Sequence, residues 1–317
     1  MANNEIIYAQ LVDMSSPSAV FAEISHLSGL MAGIIDLQRL EMVFAKTCDL
    51  YTGKYPGYRA CNTHYHDLRH TTDVFLSFAR LLHGAHEEGV RLSSHEATMA
   101  LISTLLHDTG YIQESSDCSG TGGKYTLTHV ARSVSFLKGF LPRHGFSSEE
   151  VSLCESFVSG TCIRTTIADD DFPTRSAHLL GKMIGTADLL GQLADRIYLE
   201  KLLFLYREFR EANMTGYSNE MDLLTSTISF YGLMKKRLAD ELSNVRKFMV
   251  THFRTRWGID RDLYREAIDR NLEYLQNLLD QHSSDYRDNL KREGLVQKLI
   301  SIETCERING QKTTYAP

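Results

Sequence analysis

The sequence has little of what interrupts, staples or anchors a chain. Only 5 of its 317 residues are proline, so helices can run long without a forced break. Its six cysteines stand at 48, 61, 118, 154, 162 and 305 with no CxxC pair. That spacing is neither a disulfide framework nor a zinc ribbon, and reduced thiols in a cytoplasmic setting are expected. The longest apolar run, around "LSGLMAGIIDL", meets a charge well short of the roughly 20 residues a membrane span needs. The start, "MANNEIIYAQ", lacks the basic region and apolar centre of a secretory signal. No block of lysines and arginines occurs and the net charge is -6, so neither a nucleic-acid polymer nor an anionic membrane is implied as partner.

What the sequence does have is helical period. "SSHEATMALISTLLHD" opens with Ser93 and Glu96 at capping-box spacing, and "SSEEVSLCESFV" repeats the device with Ser147 and Glu150. From about 220 to 250 the set Leu224, Ile228, Tyr231, Met234, Leu238, Leu242, Val245 and Met249 keeps three-four spacing, which predicts one long helix. Another helix is predicted from near Asp260, with Tyr264, Ile268, Leu272, Leu275 and Leu279 as its stripe. No run of alternating β-branched residues competes, so the expected fold is all-α, a multi-helix bundle. The stretch "ESSDCSGTGGKYT" reads as a loop and "TTIADDDFPTRS" as a solvated turn. The last dozen residues, "ERINGQKTTYAP", read as a frayed tail. The expected organisation is an N-terminal helical extension over 1–55, a core over 56–255, and a C-terminal helix and tail over 256–317. The first and last of these could cover the core or pair two subunits.

Three histidines crowd into "THYHDLRHTTDV": His64, His66 and His70. Four-apart residues share a helix face, so His66 and His70 are predicted to point into one cleft. Downstream, His107 and Asp108 end the apolar segment "LISTLLHDTGY", and Asp188 sits inside "LLGKMIGTADLLGQLADRI". A bare carboxylate in such surroundings costs several kcal/mol. A cation removes that cost, and nitrogen-plus-oxygen ligation suits zinc, iron, manganese or nickel. A lone histidine on an apolar face is more often a satisfied core group; the set together points to a metal cage.

The order His70, His107-Asp108, Asp188 resembles the HD superfamily of metal-dependent phosphohydrolases. Within it, "YHDLRHTTDV" is similar to the YHNxxHAxDV signature of the cyclic-nucleotide phosphodiesterase branch, and "TADLLGQ" with "YREF" to its ADLS … EEF segment. The likeness covers roughly residues 60 to 250. It implies one or two divalent ions (Mn, Mg, Zn, Fe or Ni), with His70, His107, Asp108 and Asp188 holding the first and Asp108 bridging to a second. It implies a small phosphoester or nucleotide substrate, His66 as general acid, and Glu208 as the residue that orients it. The family's HDxDH departs to Tyr111, and its E-N-H-H becomes "TLTH", with Thr126 for the glutamate and His129 retained. His129 reads either as a ligand of the second metal or as a histidine bonded into a helical wall. "STISF", Ser226 to Phe230, aligns with the family's SQVGF: Phe230 keeps the ring clamp while Thr227 replaces the glutamine that reads the base. Two other readings share the scaffold. A di-iron oxygenase needs about two more histidine ligands, from His129, His144 or His178; the other is a non-catalytic ligand sensor. Lys124 and Arg164 could touch a phosphate or be solvated surface charges.

Overall fold

The computed structural model describes the backbone of residues 7–162 and 171–313, with side chains as far as Cys305. The described residues are all-α, with no strand and a single isolated bridge between Tyr58 and Glu114. The helices in chain order are α1 (Pro17–Leu30), α2 (Leu37–Tyr51), α3 (Leu68–Glu87), α4 (Ser94–Leu106), α5 (His129–Phe140), α6 (Ser148–Ser159) and α7 (Arg175–Leu193). There follow α8 (Tyr198–Glu211), α9 (Glu220–Ala239), α10 (Phe248–Trp257), α11 (Leu263–Gln281), the single turn α12 (Tyr286–Asn289) and α13 (Leu295–Thr313). No helix among the described residues is long and apolar enough to cross a membrane.

Helix α3 is the axis of the bundle. Every residue from His70 to Ala85 is buried, and a helix buried on all sides must be wrapped by others. Helices α1, α4, α7 and α10 do the wrapping. The α3–α10 approach is close because Gly84 has no side chain: a Cβ there would lie 1.9 Å from the Phe248 carbonyl oxygen. One apolar core extends from Tyr8 to Leu299.

The starts of the helices follow local chemistry. Asp67, Ser93, Ser147, Thr174, Asn219 and Asp262 each accept a hydrogen bond from the backbone N–H three residues on, satisfying one of the donors a helix leaves open. Ser147 and Glu150 complete a reciprocal capping box, whereas the Glu96 carboxylate accepts from Thr174 Oγ1 at 2.6 Å and so ties α4 to α7.

Three expectations are corrected. The segment 220–250 is not one helix: α9 ends at Ala239, and Ser243 and Asn244 adopt left-handed φ of 52° and 51° before α10 begins. The apolar spacing continues across the break because Leu238, Leu242, Val245 and Met249 all enter the same core. His66 does not share a helix face with His70, since α3 begins only at Leu68, after the capping Asp67. The tail is helical as far as Thr313. Arg164 and two of the three aspartates at 169–171 lie outside the described residues.

Candidate metal centre

Four helices deliver the centre. Asp67 accepts from His70 N at 2.9 Å, starting α3 so that His70 stands in its first turn. His107 closes α4, and Asp108 follows where the chain turns off. Asp188 comes from the middle of α7 and His129 from the first position of α5. His70, His107 and Asp108 are each 3% exposed or less.

The imidazole Nε2 atoms and the carboxylates converge. His70 Nε2 lies 3.2 Å from Asp108 Oδ2 and 3.5 Å from Asp188 Oδ1. His107 Nε2 lies 3.2 and 3.8 Å from the same two oxygens. His129 Nε2 faces the other Asp108 oxygen, Oδ1, at 3.8 Å. The tautomers follow from the opposite ring nitrogens. His107 Nδ1 donates to the Thr104 carbonyl at 2.8 Å and His129 Nδ1 to that of Thr126 at 2.7 Å. With Nδ1 engaged, each ring turns Nε2 to a carboxylate, an arrangement that a metal ion between them or a proton on Nε2 relieves. Neither His70 Nε2 nor His107 Nε2 has a hydrogen-bond partner, although both are buried. His70, His107 and Asp108 form a buried group that could hold a metal ion, and Asp188 lies beside it.

Proton equilibria express the same field. Burial works against a charged His70, but Asp108 and Asp188 outweigh it and hold its pKa up at about 10. Burial would raise the Asp108 carboxyl; His107 and His70 overcome this and hold it well below the usual range. Burial dominates at His129 and lowers its pKa, leaving a neutral ring suited to ligation.

His66 stands beside this group. Its Nδ1 is 2.7 Å from Glu208 Oε2, while Glu208 Oε1 accepts from Tyr65 N at 3.1 Å. One glutamate thus fixes both the His66 ring and the backbone of the preceding residue, Tyr65. Tyr111 stacks on His66 with centroids 4.1 Å apart and planes at 10°, and on His129 at 4.7 Å and 23°. The phenol is 1% exposed, and burial first, then Asp108 and Glu208, raises its pKa well above the usual value. A second unforeseen residue is Gln192, whose Nε2 donates to Asp188 Oδ1 at 2.7 Å while its Oε1 accepts from Tyr65 Oη at 3.2 Å. Its four-residue spacing from Asp188 was the available signal.

A cavity of about 330 Å³ opens onto His66, His107, Asp108, His129 and Asp188, and its far wall includes Thr227 and Phe230. These candidate residues share one space, whereas His70 adjoins it through Asp108 and Asp188, and Glu208 through His66. His64 is not among them: its ring packs edge-on to Phe204 at 4.9 Å. His144 Nδ1 bonds the Phe140 carbonyl at 2.9 Å, and His178 lies near Phe172, so of the further histidines an oxygenase would need, only His129 reaches the centre. Lys124 Nζ donates to Asp117 Oδ1 at 2.7 Å and braces its own loop.

Fold and site define the class: an all-α bundle around a buried His/Asp group able to bind a metal ion. The chain belongs to the Npun_R2479-like family, whose model matches residues 56–252 and so spans every candidate residue from His66 to Phe230. No curated protein matches it.

Proposed function

We propose that the protein is a metal-dependent phosphoester hydrolase. The observation that carries this reading is the pair of buried Nε2 atoms, on His70 and His107, turned without hydrogen-bond partners toward two carboxylates. His70, His107, Asp108 and Asp188 would hold one divalent ion (Mn, Mg, Zn, Fe or Ni), and Asp108 Oδ1 with His129 would hold a second. When bound, such ions supply Lewis acidity toward a phosphoryl oxygen and a water acidified toward neutral pH.

The remaining work falls to the chain. His66, held through Nδ1 by Glu208, presents Nε2 to the cavity. From there it protonates the departing ester oxygen, a task suited to an imidazole. Glu208 fixes which ring nitrogen carries the outgoing proton. Tyr111 keeps the ring plane, and Gln192 keeps the Asp188 carboxylate turned toward the histidines. Metal analysis of chelator-free protein, followed by a screen of phosphomonoesters and phosphodiesters, tests the reading. Stoichiometric metal with turnover of at least one ester class is expected. Protein that takes up no divalent ion, or that is inert toward every ester with metal bound, would end it.

A further inference from the structure

We infer that the substrate carries one phosphoryl group on a flat, apolar organic moiety, which the protein holds by shape and not by reading hydrogen-bonding edges. This rests on the hydrolase reading above and specifies the other half of the same cavity.

The wall that faces the metal ligands is apolar. Leu205 and Phe209 come from α8, Leu223 and Phe230 from α9, and Tyr217 from the turn between them. Phe209 and Tyr217 stack at 5.8 Å with planes 15° apart, making a broad surface against which a ring can lie. At the mouth Leu127 is 56% exposed, so the apolar wall continues to the rim.

Three polar side chains of this lining are already engaged. Thr227, at the base-reading position, donates its hydroxyl to the Leu223 carbonyl at 2.8 Å. Thr126 donates to the Gly123 carbonyl at 2.7 Å. Gln192 has its amide nitrogen on Asp188 and its oxygen on Tyr65. Strong selection of one base over another requires buried groups that the wrong base leaves unpaired, and Thr227, Thr126 and Gln192 are paired without a ligand. The hydroxyls of Tyr198, Tyr217 and Ser226, also in the lining, rotate and both donate and accept, so they distinguish one edge from another only weakly. Charge points the same way. The described lining residues include no lysine or arginine, so the second and third phosphates of a nucleoside triphosphate would meet apolar side chains. The cavity's 330 Å³ lies at the small end for ligand sites, enough for one phosphoryl group and a compact ring system.

The test uses full-length protein reconstituted with Mn²⁺ and diesters sharing p-nitrophenol as leaving group, the second ester being methyl, phenyl or 2-naphthyl. kcat/KM should climb by about 10- to 100-fold from methyl to naphthyl as ring area is buried. That ratio should fall toward unity in Phe209→Ala and Phe230→Ala, each checked for folding by circular dichroism. Calorimetric titration of wild-type protein should show 2-naphthyl phosphate binding at least about tenfold more tightly than inorganic phosphate. A flat ester series with equal binding of the two phosphates overturns the inference while leaving hydrolysis intact. Tighter naphthyl phosphate binding without hydrolysis of any ester leaves the inference standing and removes the hydrolase reading. Preferential turnover of a nucleoside triphosphate, or discrimination between purine nucleotides beyond about 100-fold, also overturns it.

Discussion

Glu208 grips the imidazole of His66 with one oxygen and the backbone N–H of Tyr65 with the other. Because neither group is a metal-facing atom, His66 and the metal should be separable. His66→Ala is expected to keep its metal content and lose about 10²- to 10⁴-fold in turnover; loss of metal together with activity would make His66 a ligand. Glu208→Gln should lose less, since an amide can still hold the ring. Tyr111 offers a sharper distinction. Its ring packs against both His66 and His129, while its hydroxyl lies 3.5 Å from His66 Nε2. The stack and not the hydroxyl should matter. Tyr111→Phe is expected to stay near wild type. Tyr111→Leu should lose more with alkyl esters than with p-nitrophenyl esters, because a poor leaving group depends on a well-aimed proton. Equal losses on both ester types would reduce Tyr111 to a packing residue.

Between elements, the turn that carries Asp108 is fastened to the helix that carries His129. Gly110 N donates to Ser133 Oγ at 2.9 Å, its carbonyl accepts from Arg132 Nε at 2.7 Å, and a Cβ on it would fall 2.0 Å from the His129 carbonyl oxygen. Gly110→Ala must therefore part the turn from α5, lowering the melting temperature and weakening metal binding. Gly139→Ala, on the same helix with open space around it, should instead be neutral or stabilising by about 0.5 to 1 kcal/mol. Opposite shifts in thermal melts are the expected result, and matched shifts would show that the contact is unimportant. What could be read in advance divides along this line. Caps and apolar stripes are local, so Ser147 with Glu150 and the helix bearing Tyr264 were legible, as were the acids made costly by apolar neighbours. The reversal at Ser243 and Asn244 was not, because no glycine or proline marks it and the stripe runs straight through. The stack on Tyr111 depends on α5 meeting the turn after α4, a tertiary fact with no local trace.

At the scale of the whole molecule, distant helices are tied by charge, and the centre itself is a tie. Arg39 of α2 holds Glu150 of α6 through paired contacts of 2.5 and 2.9 Å, and this lowers the Glu150 pKa to about 2 from 4.5. A carboxyl depressed in the fold stabilises fully above its unfolded pKa and loses that contribution as pH falls through the folded one. Glu150→Gln should therefore flatten the acid limb of stability between about pH 4.5 and 2, measured by urea unfolding; an unchanged limb would count against the tie. The metal acts on a larger scale. His70, His107, Asp108 and Asp188 arrive from α3, the end of α4 and α7, so an ion among them joins segments more than a hundred residues apart in sequence. The unfolded chain has no such preformed site, and binding to the fold alone adds about 2.7 kcal/mol at a hundredfold excess over Kd. For a chain of 317 residues that raises the melting temperature by about 4 °C. Mn²⁺ or Zn²⁺ added to chelator-treated protein should produce this rise, His66→Ala should retain it, and Asp188→Asn should lose most of it. A wild-type melt that ignores every divalent ion would mean that protons, and not a metal, balance the carboxylates at the centre of the bundle.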